Sequence, residues 1–153
     1  MPEENRSHIL LVEDNDDDLE LTLHALQRGH LADNVDVARD GVEALDYLHR
    51  RGKYAGLAGQ PLPRVVMLDI KLPFLDGIEV LRELRGDERT RNLPVVMMTS
   101  SAEDRDLKAC YDLGANSYVV KPVDLDQFFH AVQQIGMYWM VVNEPRASIR
   151  APG

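Results

Sequence analysis

Cysteine is nearly absent from this 153-residue chain. Its single thiol, Cys110, excludes an internal disulfide and a cysteine-rich zinc site. Basic charge is scarce: 17 Lys and Arg stand against 26 Asp and Glu, a formal net charge of −9. A nucleic-acid binder carries a basic face, and an acidic surface is repelled by anionic membranes, so neither partner is expected. Long apolar runs are missing from the N-terminal region. Ile9–Val12 is the longest plain run there, far short of a signal-peptide core or of the ~20 residues that cross a bilayer. Asn5-Arg6-Ser7 fits the glycosylation triplet, but without a secretory signal it is read as chance. The cytoplasm is the expected compartment. The chain has no Walker phosphate loop, no Gly-x-Ser-x-Gly elbow and no Gly-x-Gly-x-x-Gly turn. Its histidines, at 8, 24, 30, 49 and 130, lack metal-ligand spacing.

What is present is ordinary globular composition, 44% hydrophobic and 28% charged. A chain of this mass buries about 69% of its unfolded surface on folding, enough for one domain with its own core. Residues 1–143 are read as that domain. Residues 144–153, with two prolines and no periodicity, are read as a frayed tail. Five short apolar runs, Ile9–Val12, Val35–Ala38, Val65–Leu68, Val95–Met98 and Tyr118–Val120, suit strands covered on both faces. Helical stripes lie between them: Leu19, Leu23 and Leu26; Val42, Leu45 and Leu48; Leu81 and Leu84; Leu107, Cys110 and Tyr111; then Phe128, Val132, Ile135 and Trp139. Capping sequences open four of the helices, at Asp40, Asp76, Ser101 and Asp124. Arg51–Pro63 is a surface loop, and Met67, Met97 and Met98 are core filler. The pattern is βα five times over, hence an α/β fold with a parallel sheet and right-handed crossovers.

Open α/β sheets place their sites beyond the carboxyl ends of the strands. Those ends carry Glu13-Asp14, Asp69, Thr99 and Lys121, whereas strand two ends at Arg39-Asp40 without an obvious partner. Two carboxylates ~4 Å apart repel by ~4 kcal/mol at an effective dielectric near 20. Three together favour a raised pKa or a bound cation, and hard oxygen ligands suit Mg²⁺ or Mn²⁺. Beside such a cation Asp69 can act as a nucleophile toward phosphorus. Lys121 and Thr99 would then hold transferred oxygens. Taken singly, Asp69 is as well explained as a loop cap, Thr99 as a strand-end residue and Lys121 as a surface lysine. Their joint placement is what argues for a site. Asp17 and Asp18 are read more simply, as acids favoured at a helix N-terminus.

The runs Leu10-Leu11-Val12-Glu13-Asp14, Met67-Leu68-Asp69-Ile70-Lys71-Leu72-Pro73, Val95-Val96-Met97-Met98-Thr99-Ser100 and Gly114-Ala115-Asn116-Ser117-Tyr118, with Lys121-Pro122, make the chain resemble a two-component response-regulator receiver domain. The likeness runs from about Ile9 to Val141. It implies a flavodoxin-like (βα)5 fold with a doubly wound five-stranded sheet in the order 2-1-3-4-5, an order the family itself exemplifies. It also implies that Asp69 is the phosphoacceptor. Asp14, Asp69 and the Lys71 backbone carbonyl would hold Mg²⁺, with Glu13 assisting through water. Thr99 and Tyr118 would be the switch pair, and Lys121-Pro122 a cis peptide. A finer likeness is to stand-alone regulators paired with phytochrome-type histidine kinases. It rests on the long 51–63 loop, the Leu72-Pro73 to Asp76-Gly77 stretch and the Tyr138–Val142 run; an output domain of the DNA-binding regulators is not expected. Such a protein is a phosphoacceptor rather than a turnover enzyme.

Two other functions fit the pattern less well. An aspartyl-phosphate hydrolase needs a second acid two residues after the nucleophile, where this chain has Lys71. The other is a module that is not phosphorylated, such as a flavin carrier. Met137–Val142 is apolar in six consecutive places, more than one helix face can bury. A homodimer through Met137, Trp139 and Met140 is therefore expected.

Overall fold

The computed structural model describes residues 8–29, 34–101 and 105–134. Five parallel strands, β1 (Ile9–Val12), β2 (Val35–Ala38), β3 (Val65–Asp69), β4 (Val95–Thr99) and β5 (Ser117–Val120), form one sheet in the order β2-β1-β3-β4-β5. The helices are α1 (Asp16–Arg28), α2 (Gly41–Leu48), α3 (Gly77–Gly86), α4 (Asp106–Asp112) and α5 (Leu125–Gln134). The expected flavodoxin-like architecture is the one found.

The unbroken apolar strands are explained by two cores split by strand parity. Leu10, Val12, Val66, Leu68, Val95 and Met97 face α2 and α3, where they meet Leu45, Leu48, Leu81 and Leu84. Ile9, Leu11, Val65, Met67, Val96, Met98 and Val119 face α1 and α5, where they meet Leu26, Phe128 and Val132. Neither parity is left for solvent, so no polar alternation survives in β1, β3 or β4. All three methionines read as filler are fully buried. Strand β2 is an edge, where Asp36 is exposed and its carboxylate accepts from the Tyr47 hydroxyl and pairs with His8 at 3.0 Å.

Local chemistry sets the helix starts. Asp40 and Asp76 each accept a hydrogen bond from the backbone N–H three residues on, at 2.8 and 3.0 Å. Asp124 does the same for Gln127 at 2.8 Å. In the α2 box the return bond falls one residue early, because Glu43 Oε1 accepts from the Arg39 N–H rather than from Asp40. Two readings need correction, and that of the surface loop gains detail. Val42 is 48% exposed, and the buried stripe of α2 runs through Ala44, Leu45, Tyr47 and Leu48 instead. The 51–63 loop contains a 3₁₀ turn over Gly52–Leu57. Helix α4 is Asp106–Asp112, with Arg105 at its cap position, so Ser101 does not open it directly; residues 102–104 lie outside the described residues. Ile135, the Met137–Val142 run and the 144–153 segment also lie outside them.

Register aligns the site. Val12 pairs with Ala38 and Leu68, Asp69 with Met98, and Thr99 with Val120. The residues at or just past the strand ends, Glu13, Asp69, Thr99 and Lys121, therefore lie along one edge. Gly77 lets α3 start against that edge. A Cβ there would lie 2.2 Å from the Asp69 carbonyl oxygen and 2.9 Å from Ile70 Cα. The Gly77 N–H instead donates to the Ile70 carbonyl at 2.8 Å.

Candidate functional site: an acidic cluster with one lysine

Glu13 and Asp69 are buried, at 0% and 2% exposure, while Asp14 stands at the surface beside them. One carboxylate oxygen from each lies within 4.8 Å of the others. The two buried acids are held alike. The Asn15 N–H donates to Glu13 Oε2 at 3.2 Å, and the Lys71 N–H donates to Asp69 Oδ1 at 3.3 Å. Burial pushes the Glu13 carboxyl up to about 7, and the bond to Asp69 and the charge of Asp69 push the same way.

Lys121 reaches into this cluster from the end of β5. Its ammonium lies 2.9 Å from Asp69 Oδ2, 3.0 Å from Asp18 Oδ2 and 3.4 Å from Glu13 Oε1. Burial pulls the ammonium's pKa down, but the bonds to Asp69 and Asp18 outweigh it and hold it above the ordinary lysine value. The Lys121–Pro122 peptide is cis.

The remaining expected residues occupy the rim. Thr99 is buried, and its hydroxyl serves the turn after β4, donating to the Ser101 carbonyl at 3.0 Å and accepting from the Ser101 N–H at 3.2 Å. Tyr118 is half-buried, edge-on to Tyr111 of α4 with ring centroids 6.2 Å apart. The side chain of Lys71 points away to Asp106 at 3.5 Å.

Sequence reasoning missed two members. Arg39, which was left without a partner, clamps the β1–α1 loop. Its guanidinium donates to the carbonyls of Glu13 at 3.1 Å and Asp14 at 3.0 Å and pairs with Asp16. Asp18, read only as a helix-terminal acid, turns its carboxylate onto Lys121. Its i+3 relation to Asn15 marks a cap, but no sequence signal ties it to a lysine 103 positions away.

Three convergent carboxylates, two of them buried and one with its pKa raised toward neutrality, form a hard-oxygen donor set. That set fits a divalent cation of the Mg²⁺ class. A strand-end aspartate bonded to a lysine sets a carboxylate oxygen, a group capable of nucleophilic attack, beside a fixed positive charge.

Together the fold and this site define a phosphorylation-type signalling module. Residues 9–133 match the family model of the response regulator receiver domain, and the chain belongs to that family. Among solved structures, that of the bacteriophytochrome response regulator AtBRR is 55% identical, covers 89% of this chain and 96% of its own, and superposes with a TM-score of 0.80. The Mn²⁺-bound form of response regulator Rcp1 is 33% identical over 91% of this chain and 98% of its own, with a TM-score of 0.68. Among curated proteins, the probable methanogenesis regulatory protein FilR2 of Methanothrix harundinacea is 40% identical over 95% of this chain and 87% of its own. The chain is thus a response regulator receiver homologous to phytochrome response regulators.

Proposed function

We propose that this receiver takes a phosphoryl group on Asp69 from the phosphohistidine of a sensor histidine kinase. An Asp69 carboxylate oxygen forms the new P–O bond as the P–N bond breaks. The leaving imidazole keeps the electron pair of that bond. Asp14, Asp69 and the Lys71 carbonyl would hold Mg²⁺ or Mn²⁺, with Glu13 contributing through water. A bound cation supplies charge screening between the carboxylate and the incoming phosphoryl group. The observation that carries this reading is the Lys121 ammonium 2.9 Å from Asp69, with Glu13 and Asp14 alongside. Lys121 is already poised to receive a transferred oxygen.

Once Asp69 is phosphorylated, the Thr99 hydroxyl leaves Ser101 for a phosphoryl oxygen and Tyr118 turns into the space released. Thr99 is the last residue of β4, and Tyr118 lies two residues before the end of β5, paired with Met97. The protein acts as a phosphoacceptor rather than a turnover enzyme, in the cytoplasm. Its similarity to AtBRR supports a phytochrome-type kinase as donor. The apolar 137–142 sequence supports a homodimer through Met137, Trp139 and Met140.

Asp69→Asn keeps the shape and removes the nucleophilic oxygen. Transfer of labelled phosphate from acetyl phosphate or a phosphorylated kinase should be lost in this variant. Undiminished labelling of Asp69→Asn would overturn the assignment. Profiling against several histidine kinases tests the donor class, and a preference for a kinase without a phytochrome-type input would reject it.

A further inference from the structure

Asp18 is held in place from both ends. Its backbone N–H donates to the Asn15 cap at 2.8 Å, which fixes the first turn of α1. Its carboxylate meets the Lys121 ammonium at 3.0 Å. The acids beside it behave differently: Asp16 pairs with Arg39 at the surface, and Asp17 is exposed. An ammonium has three donors, and here three carboxylates share it, those of Asp69, Asp18 and Glu13. Two of the three also belong to the acid cluster that fits a cation. Asp18 is not part of that cluster.

This arrangement contains a competition. Lys121 sits on Asp69 Oδ2 and Glu13 Oε1, within the same cluster that would hold a divalent cation. If those were its only partners, cation binding would have to strip the ammonium of its counter-charge. Asp18 offers a seat outside the cluster, within the swing of a flexible four-carbon stem. We infer that Asp18 is a positioning residue that shares the Lys121 ammonium with Asp69 and so leaves Asp69 free to take a cation and then a phosphoryl group. This rests on the metal and acceptor reading above. The acid acts through Lys121, not by touching the reacting atoms.

A helix-terminal acid would also attract a cation at long range, without help from the lysine. A double-mutant cycle separates the two origins. Mg²⁺ affinity of the full chain is measured by titration calorimetry for wild type, Asp18→Asn, Lys121→Met and the double variant. Asp18→Asn should weaken Mg²⁺ binding about three- to tenfold when Lys121 is present and less than about twofold when it is Met. An equal loss in both backgrounds would overturn the inference and leave Asp18 a remote charge. Asp18→Ser with Lys121→Gln repeats the cycle if either first variant unfolds. An Asp14→Ala control keeps the failures apart. Wild type that binds no Mg²⁺, or binds it as well after Asp14→Ala, removes the metal reading and this inference with it. Binding that Asp14→Ala weakens, together with a cycle showing no coupling, removes this inference alone.

Discussion

Removing the Lys121 ammonium would leave Glu13 and Asp69 as neighbouring buried carboxylates with no counter-ion. Breaking a buried pair from one side costs ~3–5 kcal/mol. Lys121 keeps 14% of its side chain in water, so we expect Lys121→Met to cost roughly 1–3 kcal/mol in Mg²⁺-free buffer. Urea unfolding checks this, and adding Mg²⁺ should recover part of the loss by replacing the missing charge. His49 is a second residue with a calculable consequence. It caps the C-terminal end of α2, buried, 3.5 Å from Asp87. Neither ring nitrogen has a hydrogen-bond partner. Burial lowers its pKa against the opposing pull of Asp87. Between that lowered value and about 6.5 the unfolded chain holds the proton and the folded one does not. The contribution of His49 is therefore fully present above pH 6.5 and is lost as pH falls below it. Comparing urea midpoints at pH 7.5 and 5.0, His49→Gln should lose less stability than wild type. Equal losses would show that His49 is not proton-linked.

At the scale of elements, the site depends on how closely α3 approaches β3. The added methyl of Gly77→Ala meets backbone atoms, the Asp69 carbonyl oxygen and Ile70 Cα, which cannot swing aside as a side-chain tip can. Overpacking of this kind costs ~1–3 kcal/mol. It also displaces the strand end that carries Asp69. Gly77→Ala should lower the thermal midpoint and weaken phosphate acceptance together. A variant that melts earlier yet accepts phosphate at the wild-type rate would show that Asp69 tolerates the shift. Gly86→Ala has open space around its new methyl and serves as the control for a helical glycine.

For the whole molecule, with a net charge of −9 and an acid cluster that has two buried members, a cation bound there would also act as a folding ligand. A ligand at 100 times its dissociation constant stabilises the folded state by ~2.7 kcal/mol. For a domain of this size that raises the midpoint by several degrees, on the order of 5 °C. Scanning calorimetry with and without saturating Mg²⁺ should show the rise in wild type and a much smaller one in Asp14→Ala. A rise of equal size in both would indicate general charge screening, not a site.

The alternation of apolar strand runs with capped helical stripes determined the fold, because continuous Val, Leu, Ile and Met runs have no stable placement except between two helical layers. The motif around Asp69 likewise determined the family. Sequence also placed Glu13, Asp14, Asp69, Thr99 and Lys121 at strand ends, since an aligned parallel register turns consecutive strand ends into one edge. Register is local and repetitive, and a linear pattern carries it. The partners of Arg39 and Asp18 were decided by tertiary structure alone. Each sits where its own neighbours suggest a different role, Arg39 beside a capping box and Asp18 in an acidic first turn. Only the placement of the β1–α1 loop and the first turn of α1 beside Arg39 and Lys121 shows which carbonyls the guanidinium reaches and that one ammonium is shared by three acids. The exposure of Val42 has the same cause. The stripe read from spacing fixed a helix, but the direction from which the sheet covers α2 fixed which of its apolar residues were buried.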